Sequence, residues 1–411
     1  MSVTETFVIV GGGLAGAKGA QALRERGFRG RIALIGDERH EPYERPPLSK
    51  EYLLGDAGFD SALARPSRWY ADNGVDLLLG VRAERIDRAR RQVVLSSGDP
   101  VDYDKLLLAT GSQPRSLPVP GADATGVLHL RRIEDSDEIK RTLAEVDRLV
   151  VVGAGWIGLE VAAAARLAGV EVVVVETEEL PLVRLLGTAM GRMFAELHRA
   201  HGVDFRFGSA VSEVTTSGGQ VTGVRLTDGS AISTPAVLLA VGAEPDGVLA
   251  ADAGLRVDNG VIADASLRTA DPHIAVAGDV ANAYHPRLHR QLRVEHWANA
   301  LHQPAVAAAS MLGGDLVYDR LPYFFTDQYD LGMEFLGHTG AGEFDQVVVR
   351  GDLPGREFIA FWLSEGRVRA GMNVNVWDVT DQIGALITSG APIDPESLQD
   401  PSAPLEQLVP A

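Results

Sequence analysis

A glycine-rich turn between an apolar strand and a helix constrains the fold of this chain more than any other feature. Residues Phe7–Val10 are apolar and mostly β-branched, which is typical of a strand buried in a parallel sheet. Gly11, Gly13 and Gly16 follow with the spacing G-x-G-x-x-G, and a helical pattern begins directly behind them. A helix that starts in this way points its first backbone N–H groups at the pyrophosphate of a dinucleotide.

The surroundings of the turn also match a dinucleotide site. A second apolar strand, Arg31–Gly36, is followed by Asp37, which lies where a carboxylate accepts hydrogen bonds from a ribose. Gly11 permits the tight turn, Gly13 lets the backbone approach the phosphates, and Gly16 lets helix and strand pack closely. With all these features in register, an ordinary strand–loop–helix connection is a poor alternative.

The same pattern occurs a second time. Within Leu149–Glu160, Gly153, Gly155 and Gly158 follow another apolar strand, and the next strand ends at Glu176. Two such sites in one chain predict either two bound dinucleotides or one duplicated domain.

Length, charge and hydropathy limit the number of domains, the possible partners and the location of the protein. With 411 residues, two or three domains are expected, and the net charge of −18 argues against nucleic acid and acidic membranes as partners. No run of 18 apolar residues occurs, and no basic segment precedes an apolar one at the N-terminus, so we expect a cytoplasmic protein that is not in the membrane.

The absence of cysteine decides how a redox reaction could proceed. The chain has no cysteine, which excludes a disulfide, a C-x-x-C pair and a thiolate-bound iron–sulfur cluster. Its ten histidines show no metal-ligand spacing, so no metal site is expected. Redox chemistry must therefore reside on a bound organic cofactor or on a partner.

Outside the two glycine turns, the pattern predicts further elements. The proline-containing loop 38–49 is expected to stop helix formation, and a helix is predicted at 301–312. From Tyr323 onward, short alternating strands at 346–350, 357–364 and 367–373 and a helix near 380–387 indicate a separate α+β module. The proline-rich tail after Ala391 is predicted to be loosely held.

These motifs together resemble a known family. The chain is similar to the FAD-dependent, NADH-using ferredoxin reductases of oxygenase systems, of the putidaredoxin reductase and biphenyl dioxygenase reductase type, within the pyridine nucleotide-disulfide oxidoreductases. The resemblance covers essentially the whole chain. It rests on both glycine motifs, ERPPLSK at 44–50, LLLATG at 106–111, Glu160, AGD at 277–279 and FFTDQYD at 324–330.

The resemblance implies the architecture. The fold class is α/β, with two Rossmann-like dinucleotide-binding domains in a glutathione-reductase-like arrangement and a C-terminal α+β domain. The predicted domains are an FAD-binding domain at 1–115 and 246–322, an NAD-binding domain at 116–245 and a C-terminal domain at 323–411.

The resemblance also implies which residues bind the cofactors. Lys50 and Glu160 are the implied catalytic residues: the Lys50 ammonium would stabilise negative charge on the reduced flavin ring, and Glu160 would lie near Lys50 and the nicotinamide. A second interpretation of Glu160 is a first-turn glutamate that complements the helix dipole. For FAD the implied residues are Gly11, Gly13, Leu14, Ala15, Gly16, Asp37, Arg45, Lys50, Ala83, Ala109, Thr110, Gly111, Arg131, Gly278, Asp279, Glu295, His296 and Trp297. For the nicotinamide dinucleotide they are Gly153, Gly155, Ile157, Gly158, Glu160, Glu176, Arg184 and Gly242, and Glu244 is expected beside the same site.

The implied reaction passes electrons from NADH through FAD to a [2Fe-2S] ferredoxin, which supplies a cytochrome P450 or a Rieske oxygenase. Such ferredoxins are typically acidic, so docking on this acidic chain needs a local basic patch. The stretch 285–293 offers Arg287, Arg290 and Arg293, and a second candidate is Arg65 with Arg68. The oligomeric state, monomer or homodimer, stays open.

Four other functions occur on this fold or on related ones. A disulfide or peroxide reductase needs a redox cysteine, and this chain has none. A membrane quinone reductase needs an amphipathic, membrane-binding C-terminus, whereas this tail is acidic and proline-rich. A rubredoxin reductase and an NADH-binding flavoprotein resembling apoptosis-inducing factor remain as alternatives.

Overall fold

The computed structural model describes residues 5–409. These residues divide into two compact units. The first unit contains residues 5–46, 58–113 and 243–320, and the second contains residues 47–57, 114–242 and 321–409. The division into FAD-binding, NAD-binding and C-terminal domains remains a prediction.

The secondary structure alternates strands and helices. The strands are β1 Thr6–Val10, β2 Arg31–Gly36, β3 Val75–Leu79, β4 Ala83–Asp87, β5 Gln92–Leu95, β6 Pro100–Asp102, β7 Lys105–Leu108, β8 Ser112–Pro114, β9 Val127–Leu128, β10 Arg148–Val152, β11 Glu171–Val175, β12 Val203–Arg206, β13 Val211–Ser217, β14 Gln220–Leu226, β15 Ala231–Ser233, β16 Ala236–Leu239, β17 Ala243–Pro245, β18 Val261–Ala263, β19 Ile274–Val276, β20 Ala281–His285, β21 Arg290–Leu292, β22 Tyr323–Gln328, β23 Leu331–Gly337, β24 Gln346–Asp352, β25 Glu357–Ser364 and β26 Arg367–Val374. The α-helices are α1 Leu14–Glu25, α2 Glu51–Leu54, α3 Arg68–Asp72, α4 Ile133–Glu145, α5 Trp156–Leu167, α6 Val183–Ala200, α7 Val248–Asp252, α8 Trp297–Met311, α9 Thr380–Ser389 and α10 Pro395–Gln399. Short 3-10 helices span Pro46–Ser49, Phe59–Ala62 and Leu405–Leu408.

The first unit is built on a parallel sheet with the order β19-β7-β1-β2-β3. Strand β1 lies in the middle and is buried along most of its length, as its continuous apolar run predicts. The core of this unit packs around β1, β2 and β7, with α1 and α8 contributing small alanine side chains. The central strand therefore delivers the first glycine turn at the carboxyl edge of the sheet.

The second unit contains an equivalent parallel sheet, with the order β12-β11-β10-β16-β9. Here β10 is central and leads into the second glycine turn. A separate antiparallel sheet, β13-β14-β15, follows β12 along the chain. The duplicated pattern in the sequence thus corresponds to two sheets of the same topology around their central strands.

The C-terminal part of the second unit is an antiparallel sheet with the order β22-β23-β26-β25-β24. Helix α9 packs on it through Ile383 and Leu386, both of which are fully buried. The strands and the helix predicted after Tyr323 are confirmed, with strand ends within two residues of the predicted ones. Their separation from residues 114–242 as an independent module is not, because both segments belong to the second unit.

Three local predictions were wrong. The tail after Ala391 is not loosely held, because Ile393, Leu398 and Leu405 are buried in the apolar cluster beneath α9. The proline loop does form a short 3-10 helix at its end, Pro46–Ser49, since proline fits a first helical turn. Helix α8 begins at Trp297, four residues before the predicted start.

Within residues 5–409, no helix is both long enough and apolar enough to cross a membrane.

Arg350 of strand β24 connects the C-terminal tail to the antiparallel sheet, and this contact can be tested. The Arg350 guanidinium donates hydrogen bonds to the backbone carbonyls of Leu398, Asp400, Pro401 and Ala403. We expect Arg350→Ala to lower the free energy of unfolding by about 2 kcal/mol, since hydrogen bonds from a charged donor would be lost. Limited proteolysis should cut the tail faster, whereas Arg192→Ala, an exposed arginine on α6, should leave both measurements unchanged. Equal protease resistance of the two variants would contradict this role.

Candidate functional site

The first glycine turn has the geometry of a phosphate cradle. Gly11 has φ +125°, and a Cβ there would lie 2.0 Å from the Ala109 carbonyl oxygen. A Cβ on Gly16 would lie 2.0 Å from the Gly11 oxygen, so only glycine allows this close packing of helix and strand. By contrast, a Cβ on Gly13 would meet nothing within 4 Å. Open space therefore faces the start of α1, where no side chain caps the helix, and this space fits a pyrophosphate.

The structure brings the AGD segment to this turn. Gly278 has φ +81°, and a Cβ there would lie 3.0 Å from the Cβ of Ala15. Its backbone N–H donates to Gln303 Oε1 at 2.8 Å. The Asp279 carboxylate accepts a hydrogen bond from the Ser112 hydroxyl at 3.0 Å. Ser112 directly follows Ala109–Gly111, which are predicted to bind FAD. These residues thus converge at the carboxyl edge of the first sheet, where α/β proteins bind their ligands.

Other predicted FAD residues of the first unit form local networks. Arg45 pairs with Glu38 at 2.9 Å, and the Trp297 indole N–H donates to Glu44 Oε2 at 2.7 Å. Glu295 pairs with Arg293. The remaining members are Asp37, which follows β2, Ala83, which opens β4, and His296, which precedes α8. Lys50 and Arg131 belong to the second unit.

The second glycine turn repeats the first. Gly153 has φ +102°, Gly155 again faces open space, and α5 starts without a side-chain cap. Glu176 Oε2 accepts from the Ala154 N–H of the turn at 2.7 Å, and its Oε1 accepts from the backbone N–H of Glu178 at 2.9 Å. The carboxylate directly after β11 therefore holds the glycine turn in place.

The other residues predicted to bind the nicotinamide dinucleotide differ in their exposure and in their hydrogen-bond partners. Ile157 is exposed on the first turn of α5. The backbone carbonyl of Gly242 accepts from Arg115 N–H at 2.9 Å. Arg184 is bound to the carboxylate of Glu178, with Nε 2.7 Å from Oε1. Its positive charge is therefore already paired with a carboxylate.

Lys50 and Glu160 form a largely buried ion pair within the second unit. Lys50 Nζ lies 2.7 Å from Glu160 Oε1, and the two side chains are only 12% and 6% exposed. The Lys50 ammonium also lies 5.5 Å from the centre of the Phe325 ring. Because Glu160 is the fifth residue of α5, the interpretation as a first-turn glutamate on the helix dipole was wrong.

Two hydroxyl groups complete the surroundings of the carboxylate. Thr326 Oγ1 donates to Glu160 Oε1 at 2.6 Å, and Ser49 Oγ donates to Oε2 at 2.5 Å. A buried carboxylate is costly unless its charge is paired and its lone pairs accept hydrogen bonds. Lys50, Thr326 and Ser49 together meet both conditions, so the site holds a fixed negative charge next to a fixed positive one.

Sequence reasoning missed the polar residues behind Glu160. Gln328 lies two residues after Thr326 on β22 and accepts from His198 of α6, with Nε2 and Oε1 2.8 Å apart. All three side chains are at most 1% exposed. A signal existed: Thr326 and Gln328 occupy inward positions of a strand, and His198 follows Phe194 by one helical turn on the buried face.

The arginines proposed for docking are partly neutralised. Arg287 pairs with Asp319 at 2.7 Å, and Arg293, with 9% exposure, pairs with Glu295. Arg65 lies over the Trp69 ring at 5.9 Å, beside exposed Arg68. The docking role of either group stays a prediction.

Buried His198 predicts a stability that depends on pH. Burial lowers the pKa of His198 from 6.5 to about 4. Below pH 6.5 the unfolded chain binds a proton here that the folded chain excludes until about pH 4, so the free energy of unfolding falls as the pH drops. The loss across this interval is about 3 kcal/mol.

Replacement of this residue should flatten the profile. We expect His198→Gln to remove most of this pH dependence in urea unfolding between pH 6.5 and 4. His289→Asn, at an exposed position, is the control and should follow the wild-type profile. A wild-type slope in the His198 variant would show that this imidazole is not the titrating group.

Comparison with known proteins identifies the family of the chain. The family model of the pyridine nucleotide-disulphide oxidoreductases matches residues 5–303, and that of the reductase C-terminal domain matches residues 323–409. The chain is 38% identical to putidaredoxin reductase from Pseudomonas putida, covering 100% of this chain and 98% of the relative. It is 40% identical to the ferredoxin–NAD(+) reductase component of the anthranilate 1,2-dioxygenase system from Burkholderia cepacia, covering 98% and 99%.

A solved structure extends the likeness to three dimensions. The crystal structure of a covalent putidaredoxin reductase–putidaredoxin complex superposes with a TM-score of 0.94 at 38% identity, covering 98% of both chains. With both family models matched and relatives alike over their full length, this chain belongs to the pyridine nucleotide-disulphide oxidoreductase family, among the ferredoxin reductases with a reductase C-terminal domain.

Proposed function

We propose that this protein is a cytoplasmic, NADH-dependent flavoprotein that passes electrons through FAD to a [2Fe-2S] ferredoxin serving a cytochrome P450 or Rieske oxygenase. One observation carries the proposal: two uncapped glycine turns face open space in a chain that has no cysteine. Two dinucleotide sites without a redox cysteine require that electrons leave the bound cofactor for an external acceptor.

The first unit holds most of the residues that would bind FAD. The first N–H groups of α1, beginning at Leu14, would bind the pyrophosphate, and Asp37 would accept from a ribose. Asp279, already held by Ser112, would accept from the ribityl hydroxyls. Bound FAD would supply two-electron acceptance from NADH and one-electron release to the ferredoxin, chemistry that the side chains of this chain do not supply.

The second unit holds the residues that fit the nicotinamide dinucleotide. The start of α5 would bind its pyrophosphate, while Glu176 would bind the ribose hydroxyls and keep the turn in place through Ala154. Lys50 and Glu160 would provide fixed, desolvated charges of opposite sign for the transfer step. The assignment of the Lys50 ammonium to the flavin ring rests on the family resemblance.

The first test fills the open space in the first cradle. We expect purified wild-type protein to show flavin absorption that bleaches with NADH under anaerobic conditions and to reduce a [2Fe-2S] ferredoxin. Gly13→Val should fold, because a Cβ there meets no protein atom, but should lose FAD because the side chain occupies the phosphate position.

A matched control separates ligand loss from misfolding. Gly58 also has open space around its Cβ and an ordinary φ of −87°, so Gly58→Val should keep FAD and turnover. A colourless, folded wild type that takes up no FAD would refute the proposal. Rapid flavin reduction with negligible transfer to any ferredoxin would instead favour an NADH-binding signalling flavoprotein.

The second test concerns the preference for NADH over NADPH. A 2′-phosphate would meet the carboxylate of Glu176, while Arg184 is engaged by Glu178. Glu176→Gln keeps an oxygen that accepts from the Ala154 N–H but removes the negative charge. Adding Glu178→Gln removes the carboxylate that pairs with Arg184, so the guanidinium becomes available to a 2′-phosphate. We expect the double variant to lower the NADH:NADPH ratio of kcat/KM by about tenfold or more.

Glu171→Gln is the control for this change. It removes a carboxylate from the opposite, exposed end of the same strand, so the cofactor ratio should not change. An unchanged ratio in the double variant would mean that these carboxylates do not select the cofactor.

A further inference from the structure

We propose that Thr326, Gln328 and His198 position the Glu160 carboxylate against Lys50 through a buried chain of hydrogen bonds, and that this positioning sets the rate of reduction by NADH. The inference rests on the proposed function. It assigns to the C-terminal strand β22 and to helix α6 a part in the transfer step.

The chain of hydrogen bonds is continuous and buried. Glu160 Oε1 accepts from Thr326 at 2.6 Å, Thr326 Oγ1 accepts from Gln328 Nε2 at 3.1 Å, and Gln328 Oε1 lies 2.8 Å from His198 Nε2. Tyr329 extends the chain, because its hydroxyl lies 3.3 Å from His198 Nδ1. These groups belong to elements that are far apart in the sequence, so their alignment is a property of the folded unit.

The charge of Glu160 determines the direction of every bond. An ionised carboxylate only accepts, so the single hydroxyl hydrogen of Thr326 must point at Glu160. The Thr326 oxygen then accepts from the amide NH₂ of Gln328, which turns the Gln328 carbonyl toward His198. His198 must therefore carry its proton on Nε2 and accept at Nδ1. Burial keeps this imidazole neutral, because it lowers the pKa of His198 to about 4.

Tyr329 is held in place by an unusual backbone conformation. It has φ +56°, a left-handed conformation that aromatic residues rarely adopt. Its ring stacks on His201 with centroids 3.6 Å apart and planes 8° apart. The residue opens the two-residue turn between β22 and β23, and tight hairpin turns favour a positive φ at this position. Its hydroxyl lies next to His198 Nδ1, the last acceptor in the chain.

Positioning matters because one carboxylate oxygen serves two partners. Glu160 Oε1 binds both Lys50 and Thr326, whereas Oε2 binds Ser49. Without the Thr326 hydroxyl, the carboxylate could rotate and change the distance between the two fixed charges. Small displacements of charged groups reduce the rate of a transfer step strongly.

The decisive experiment compares Thr326→Val with Thr326→Ser in FAD-loaded protein. Valine keeps the branched shape without the hydroxyl, and serine keeps the hydroxyl. In anaerobic stopped-flow reduction by NADH, we expect the limiting rate to fall about tenfold in the valine variant and to change less than about twofold in the serine variant. The half-saturating NADH concentration should change little, since the effect is on the transfer step.

A second measurement reports the hydrogen bonds themselves. In ¹⁵N-histidine NMR of the oxidised protein, wild type and Thr326→Ser should show His198 as the neutral Nε2–H tautomer. Thr326→Val leaves the Gln328 amide without its acceptor, so the His198 nitrogen shifts should change. A role limited to packing would lower stability without this serine-rescued change at His198.

The outcomes are separable. A wild-type limiting rate in Thr326→Val, or an Nδ1–H tautomer in the wild type, overturns the inference while leaving the proposed function intact. If wild-type protein is not reduced by NADH at all, the proposed function fails and the rate-setting role fails with it. The tautomer measurement then still decides whether the hydrogen-bond chain exists as described.

Discussion

The second unit depends on one buried ion pair, between Lys50 and Glu160. A carboxylate and an ammonium lose water on burial, and this loss is offset only if geometry and additional hydrogen bonds are good. The structure supplies both from three separate places: the end of the proline loop, the second turn of α5 and strand β22. Removal of either charge would take away the closest partner of the other, which is largely buried. The ion pair therefore joins these three segments and also gives the unit two adjacent, largely buried charges of opposite sign.

Local sequence patterns predicted much of the fold. Both glycine turns, with their strands and helices, follow from rules that act over about 30 residues, namely apolar strands, glycine where Cβ would clash, and helices behind them. Close contacts at Gly11 and Gly16 have the physical cause that the motif implies. The antiparallel strands after Tyr323 were also predictable, because alternation of buried and exposed residues is a local property.

The features that escaped prediction depend on distant contacts. The tail is acidic and rich in proline, yet three apolar side chains and the Arg350 guanidinium hold it, and Arg350 precedes the tail by about 50 residues. Likewise, Arg287 is conspicuous in sequence as part of a basic stretch, but its carboxylate partner Asp319 follows 32 residues later and becomes apparent only in the fold. His198, Thr326 and Gln328 are isolated polar residues until tertiary structure aligns them.

The difference between local motifs and contacts of distant residues has a physical consequence for the chemistry. Glycine turns fix where a dinucleotide binds, but backbone N–H groups act on any pyrophosphate in a similar way. The electrostatics of a transfer step need charges that are fixed before the reaction, since groups that must reorient during it stabilise the transition state less. In the second unit the Glu160 charge is fixed because Ser49, Thr326 and the buried groups behind them hold its carboxylate. If the proposed reaction takes place here, the C-terminal sheet belongs to its electrostatic environment, and the sequence of the sheet is constrained by the ion pair as well as by packing.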